Sequence, residues 1–397
     1  MRALYLATAT NFLALTMTRP LVPLYAAQLG AGPGVVGLVV AAFAALPLFA
    51  AVPAGWLTDR LGPRTMVMGG ALGCVAASLI VGCFPSLASL AVSQAVMGVA
   101  QLAVVVASQT LAGAAAPGKA REQALGWLTT ANSLGQLFGP LLGGIIADAT
   151  SYPTAFLAAG ALGALAPVAA RSLPARPRAP EIARRTASRG EVRRLLQSGG
   201  VKAGILSSFA VLFTVGVRQA FFPLYVQRLG YAASVVGGLL SVHALASVAV
   251  RPFMPAIIAA AGGRFPTLVG SMSLLAVGVL GIPFTANLYT LALTSLLVGL
   301  GIGLCQPVSM LTVADSVPAE IRGLAMGIRL TGNRLAQLVN PIFFGAVTSL
   351  WGLNVAFVLG GCLLFAVTGF LFRWRNHFQS GPARPAPAQP PVPPATA

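Results

Sequence analysis

The chain repeats itself. Pro23-Leu24-Tyr25 returns as Pro223-Leu224-Tyr225, Leu29-Gly30 as Leu229-Gly230, and Val35-Val36-Gly37 as Val235-Val236-Gly237. Gly62 and Arg64 return as Gly262 and Arg264, all at an offset of 200 residues. Farther on the offset is 201: Pro117, Arg121, Gly126, Asn132, Pro140 and Gly144 match Pro318, Arg322, Gly327, Asn333, Pro341 and Gly345. One shared tripeptide means little in a chain rich in Ala, Gly and Leu. A register kept over more than a hundred residues requires two copies of one structural unit.

That unit belongs in a membrane. The 397 residues are 57% hydrophobic and only 8% charged, which no soluble globular domain matches. Twelve apolar segments can each cross a hydrocarbon core of about 30 Å as a helix. They cover 3–27, 35–57, 66–84, 88–113, 123–147 and 154–170, then 201–227, 235–259, 267–285, 289–313, 323–349 and 351–373. The apolar runs are continuous rather than alternating, which excludes a β-barrel. The expected fold is an all-α integral membrane protein of twelve transmembrane helices in two pseudo-symmetric six-helix halves. The first half occupies 1–170 and the second 201–374. A basic linker over 171–200 joins them, with a short surface helix expected from Glu191 to Gln197, and the Pro- and Ala-rich tail over 375–397 is expected to stay unfolded. Tandem membrane halves imply a solute transporter with its substrate site between the halves, near the middle of the bilayer.

The net charge of +18 raises the question of nucleic acid, and its distribution answers it. Of 25 Lys and Arg, 19 fall in the termini, the linker and the loops on one side, and one, Arg228, falls on the other. The remaining five, Arg19, Arg218, Arg251, Arg329 and Arg334, lie inside segments. This bias puts the basic face and both termini in the cytoplasm. The expected location is therefore the plasma membrane, the inner membrane of a bacterium, with the linker touching anionic lipid. Segment 1 lacks a cleavage site and ends in the repeated Pro-Leu-Tyr element, so it reads as a retained helix. Cys74, Cys83, Cys305 and Cys362 each lie within a segment and form no metal or disulfide pattern. With no nucleophile–base set, metal cluster or phosphate loop, neither enzymatic chemistry nor a cofactor is expected.

Two motifs carry a resemblance. Gly55-Trp56-Leu57-Thr58-Asp59-Arg60-Leu61-Gly62-Pro63-Arg64 joins segments 2 and 3. It is similar to the signature loop of the major facilitator superfamily, G-x-L-x-D-R-x-G-R-[KR], departing only at Pro63. Asp59 ends a helix whose dipole disfavours an anion there, so it needs a partner. The resemblance implies a cytoplasmic gate of Gly55, Asp59, Arg60, Gly62 and Arg64 closing on the start of segment 11, near Arg322 and Gly323. In the second half Ala259 replaces the acid. In segment 5, Gly135, Gly139, Pro140, Gly143 and Gly144 form G-x-x-x-G-P-x-x-G-G. Glycines at i, i+4 and i+8 share a face that lets another backbone approach, and the proline bends the helix. The run resembles the antiporter motif of drug–proton exporters in the same superfamily. Generic helix packing is the alternative reading. A third family motif would place an Arg four residues before Gly98; Gln94 stands there instead.

All seven acids, Asp59, Glu122, Asp148, Glu181, Glu191, Asp315 and Glu320, fall at helix ends, in loops or in the linker. Arginines facing lipid would cost about 2.5–3.5 kcal/mol each on insertion scales, so those inside segments must face the interior. Thr8, Asn11 and Arg19 share a polar face of segment 1. Arg329, Asn333, Gln337 and Asn340 share one on segment 11, with Arg334 about 100° around. Asn132 and Gln136 supply amides from segment 5. The expected cavity is lined by Asn11, Arg19, Asn132, Gln136, Arg218, Arg329, Asn333, Arg334 and Gln337, a set suited to an anionic or polyoxygenated small molecule. His243 in segment 8 is a side chain whose unperturbed pKa lies near neutrality, which makes it the candidate proton carrier; packing is the alternative. The reading is a monomeric transporter that exports a small organic molecule in exchange for protons. Proton-coupled uptake of an organic anion, uncoupled diffusion, and a non-transporting membrane sensor or binding protein are the rivals.

Overall fold

The computed structural model describes residues 1–114, 119–174, 198–318 and 321–378. The surface helix expected over 191–197, most of the linker, and the tail beyond 378 lie outside the described residues. The rest is helical and forms twelve rods. In the first half these are α1 (Arg2–Thr18, then Leu21–Gln28), α2 (Pro33–Leu61), α3 (Pro63–Cys83), α4 (Leu87–Gly113), α5 (Lys119–Ala149) and α6 (Tyr152–Gly163, then Leu165–Ala170). In the second they are α7 (Gly199–Arg228), α8 (Ala233–Ala249, then Met254–Ala260), α9 (Arg264–Gly281), α10 (Leu288–Asp315), α11 (Arg322–Trp351) and α12 (Leu353–Leu371).

Among the described residues, nine helices are long and apolar enough to cross a membrane on composition and length. The other three rods are α1, α5 and α11, and each departs for a reason. In α1 the helix breaks at Arg19–Pro20, where proline supplies no N–H. α5 and α11, related by the repeat, carry the amide and arginine faces together with internal Pro140 and Pro341.

The repeat is visible in backbone geometry. Gly30 and Gly230 end α1 and α7 at φ 85° and 86°, a left-handed conformation costly for any residue with a Cβ. In each copy the N–H three residues past the last helical residue reaches back: Ala31 to the Ala26 carbonyl at 3.0 Å and Tyr231 to Val226 at 3.3 Å. Packing repeats as well. A Cβ on Gly70 of α3 would lie 2.7 Å from the Ala100 carbonyl oxygen of α4. At the equivalent crossing the glycine has changed sides, and Gly301 of α10 lies against the Ser271 carbonyl of α9, again at 2.7 Å. Lipid offers no hydrophobic drive for helix association, so such backbone-close crossings hold each half together.

The two halves meet unequally on the two faces. On the face opposite the basic loops, one continuous apolar cluster draws on both halves, including Leu24, Val36 and Phe156 from the first and Phe221, Val236 and Phe344 from the second. Toward the basic face each half keeps its own cluster. Leu4, Val67, Leu111 and Leu128 pack in the first half, and Val201, Val313, Val317 and Ala325 in the second. Among the described residues, the apolar packing between the halves seals the face away from the basic loops and is parted toward them.

Candidate functional site: a central polar cavity beneath a glycine seam

The seal is built from repeat-related glycines and prolines. Gly37 of α2 lies against the Pro341 carbonyl of α11, and Gly237 of α8 against the Pro140 carbonyl of α5, both too close for a side chain. Gly144 meets the backbone of Ala233 and Ser234 at the start of α8 in the same way. The other glycines of the α5 motif face inward within their own half. A Cβ on Gly135 would lie 2.7 Å from the Leu13 N–H nitrogen of α1, and one on Gly139 2.9 Å from the Leu13 carbonyl oxygen. Gly143 abuts Met17, and Thr16 donates to the Gly135 carbonyl at 2.6 Å. The motif therefore has two jobs in this conformation: Gly135, Gly139 and Gly143 hold α5 to α1, while Pro140 and Gly144 meet the opposing half.

Asp148, at the end of α5, completes the seam. Its two carboxylate oxygens accept from the Ala233 N–H at 2.9 Å and the Ser234 N–H at 2.7 Å. The N-cap of α8 is Ala232, which has no side chain to do this. The first half thus caps a helix of the second, and the negative charge sits at the positive end of the helix dipole. Ser241 adds a bond from α8 to the Leu137 carbonyl of α5 at 2.5 Å.

Beneath the seam lies a cavity between the halves. Arg19, Gln136, Arg218, His243 and Gln337 line it, all of them residues that the sequence singles out. Thr16, Gln94, Gln219 and Asn340 line it too, outside the expected set. Gln94 was legible as the residue in place of the missing arginine, and Asn340 as part of the α11 polar face; Gln219 gave no signal. Arg19 is exposed to the cavity, with its guanidinium 5.0 Å from the Phe43 ring centroid. Arg334 is near enough to Arg19 for their charges to repel. Arg218 is 2% exposed; it donates to Ser295 Oγ at 2.6 Å, stacks over Phe222 at 4.4 Å, and leaves its Nε without a partner. His243 feels the Arg218 charge, and its Nδ1 is buried without a partner.

The remaining expected residues are placed differently. Asn11 is buried and donates to Gln101 Oε1 at 2.7 Å, bracing α1 against α4. Arg329 joins α11 to α10 through the Gln306 carbonyl at 3.1 Å, Gln306 Oε1 at 2.7 Å and Ser309 Oγ at 3.0 Å. Asn333 accepts from Ser208 at 2.8 Å. Arg334 donates to the cavity-lining Gln337 at 3.1 Å. Asn132 is half-buried on α5, with its Oδ1 unpartnered and outside the cavity wall.

The expected gate loop lies at the parted face. Gly55 has no atom within 4 Å of where a Cβ would stand, and neither do Gly126 and Gly327 at the corresponding ends of α5 and α11. Gly62 at φ 85° links α2 directly to α3. Arg60 stacks on Trp56 of its own helix at 5.3 Å, Arg64 is half-buried, and Asp59 is exposed. At the expected partner, Arg322 Nε donates to the Ala314 carbonyl of α10 at 2.9 Å, within its own half. In the second half, Arg264, the counterpart of Arg64, pairs with Asp315 at the end of α10.

Comparison with known proteins agrees with this architecture. The sequence matches the family model described as Major Facilitator Superfamily over residues 4–266 and 204–396. It is 30% identical over 156 residues to the multi-drug resistance efflux pump PmrA of Streptococcus pneumoniae serotype 4, covering 38% of this chain and 39% of that protein. The match to PmrA thus spans about two fifths of the relative's length. It is 24% identical over 355 residues to the multidrug resistance protein Stp of Mycobacterium tuberculosis strain CDC 1551, covering 75% of this chain and 66% of Stp. The fold superposes on the crystal structure of a point mutant of the nucleoside transporter NupG with a TM-score of 0.81 at 12% identity, over 94% of this chain and 99% of that one. A doubled six-helix unit, a cavity between the halves and a seam closed on one face are what such a protein is built from, and the chain belongs to the Major Facilitator Superfamily of multi-pass membrane transporters.

Proposed function

We propose that the protein exports a small organic molecule from the cytoplasm in exchange for protons, by alternating access, across a bacterial inner membrane with the basic face inside. The observation that carries this reading is the division of labour in the α5 motif. Gly135, Gly139 and Gly143 grip α1, while Pro140 and Gly144 meet α8 across the seam. A helix that closes the outer face while lining the cavity links substrate binding to closure. The resemblance of this motif to that of drug–proton exporters, and the efflux names of the similar proteins, support the direction. Basic loops on the parted face support a cytoplasmic opening.

In this reading the cavity fills from the cytoplasm, the inner ends of α2 and α11 then close, and the glycine seam parts. Asp59 latches on the start of α11 in that alternate state. His243 is the cavity-wall imidazole to which this reading assigns the proton: its Nδ1 has no competing partner, and uptake there works against the neighbouring Arg218 charge. The full chain reconstituted in liposomes loaded with the pH dye pyranine tests this, with 1-naphthalenesulfonate and tetraphenylphosphonium added in turn as permanently charged solutes. Proton movement opposite to the solute, absent from empty liposomes and lost in His243→Asn, is the expected result. Co-directional movement would indicate uptake, and solute flux without proton movement would remove coupling.

A further inference from the structure

The charge of the cavity wall has a chemistry of its own. Two guanidiniums, Arg19 and Arg218, border the same cavity, and no Asp or Glu is among its described lining residues. Among the described residues the acids lie at helix ends: Asp59 closes α2, Asp148 closes α5 and Asp315 closes α10. Neither arginine is neutralised by a carboxylate at the cavity. Arg218 has a hydroxyl and an aromatic ring as neighbours, and its buried Nε has no partner. Arg19 has the face of Phe43 and faces open space. Arg334 behind it adds repulsion rather than relief. Among the other polar wall groups, Gln94, Gln136, Gln219, Gln337 and Asn340 are amides that donate as readily as they accept, and Thr16 and His243 carry no negative charge. A buried charge without a partner is costly. A lipophilic cation entering here would meet two like charges, whereas an anion would satisfy both.

We propose that the cavity selects organic anions, with Arg19 and Arg218 clasping a carboxylate, sulfonate or phosphate and Phe43 and Phe222 lying beside the guanidiniums. The inference rests on the cavity's being the transport site. Phe43 also lines the wall, so an aromatic or otherwise apolar body joined to the anionic group matches it best. Guanidinium forks hold planar or tetrahedral oxyanions through paired N–H donors, which lysine does less well.

The test is thermal stabilisation of the full-length protein in neutral detergent free of anionic lipid. The probes are 1-naphthalenesulfonate, citrate and glucose 6-phosphate, with 1-naphthalenesulfonamide as the neutral isostere and tetraphenylphosphonium as the cation. At least one anion should stabilise the protein while the sulfonamide and the cation do not. Arg19→Gln should weaken that anion about ten- to a hundredfold, the equivalent of losing a charge-assisted hydrogen bond, with Arg19→Lys between the two. Arg19 faces open space, so this variant should fold even if Arg218→Gln does not. Stabilisation by the cation or the sulfonamide as strong as by any anion, no stabilisation by any anion, or an anion effect unchanged in Arg19→Gln would overturn the proposal. An effect seen only with added phosphatidylglycerol would assign the arginines to a lipid headgroup and overturn a soluble substrate site. Anion binding without proton movement in the liposome assay would leave this proposal standing and remove proton exchange. Proton-coupled transport of the cation without anion binding would do the reverse.

Discussion

Gly37 and Pro341 touch through backbone alone, and Gly237 stands in the same relation to Pro140. The repeat has placed a glycine of one half on a proline carbonyl of the other, twice, on the sealed face. A side chain at either glycine cannot be accommodated while the seam is shut. Gly37→Leu and Gly237→Leu should each shift the molecule away from the sealed state by about 1–3 kcal/mol, the usual range for overpacking. That corresponds to roughly a five- to hundredfold change in population. Distances between spin labels placed across the two faces would show it, with the sealed face opening and the basic face closing. Gly143→Leu should behave differently, lowering stability without that redistribution, because Gly143 abuts Met17 inside its own half.

Asp148 holds the same face by a second means. It caps α8 from α5, and its repeat counterpart is Ser349 of α11, whose Oγ lies 3.2 Å from where a Cβ on Gly34 of α2 would stand. Neither Gly32 nor Ala232, the N-caps of α2 and α8, supplies a side-chain cap. Asp148→Ala should cost the sealed state about 0.5–2 kcal/mol, the range for losing a helix cap. Deuterium exchange at the Ala233 and Ser234 amides would rise accordingly. Asp148→Asn keeps an acceptor and should recover part of the protection. Unchanged exchange in Asp148→Ala would mean that the cap carries no weight.

The fold was readable because the repeat and the apolar runs are both one-dimensional signals. The site was only partly so, and the reason is geometric. Helical periodicity says that Asn333, Gln337 and Asn340 share a face of α11, but not that this face is divided along its length. Its middle, Gln337 and Asn340, borders the cavity, while Arg329 and Asn333 near the basic end bond α10 and α7. Asn11 and Arg19 were likewise grouped on one face of α1, yet Asn11 meets Gln101 of α4, and the chain breaks at Arg19–Pro20 before the periodicity can carry through. The Asp148 cap was invisible because its acceptor and donors are 85 and 86 positions apart.

The ion pair of Arg264 and Asp315 sits at the parted face with its side chains 38% and 40% exposed. Solvent screens such a pair, so Asp315→Asn should destabilise the second half by less than about 1 kcal/mol, with the difference shrinking in high salt. Thermal melts of the wild type and variant at low and high salt would check this. A larger loss that survives salt would mean that the pair also positions α9 against α10.

Arg19 and Arg329 are both arginines within the membrane region, and their surroundings predict opposite behaviour on substitution. Arg329 satisfies three acceptors on α10: the Gln306 carbonyl, Gln306 Oε1 and Ser309 Oγ. Hydrogen bonds to a charged group contribute about 1.5–3 kcal/mol, so Arg329→Ala should lower the melting temperature of the empty protein and loosen α11 from α10. Arg19 has no carboxylate beside it and lies near the repelling charge of Arg334. Arg19→Gln should therefore leave the empty protein as stable as the wild type or more so, and remove only ligand-induced stabilisation. Melting curves of the two variants, each with and without 1-naphthalenesulfonate, separate a guanidinium that holds the bundle from one held ready for a substrate. If Arg19→Gln melts as far below the wild type as Arg329→Ala does, Arg19 is structural, and the cavity loses one of the two charges on which anion selectivity depends.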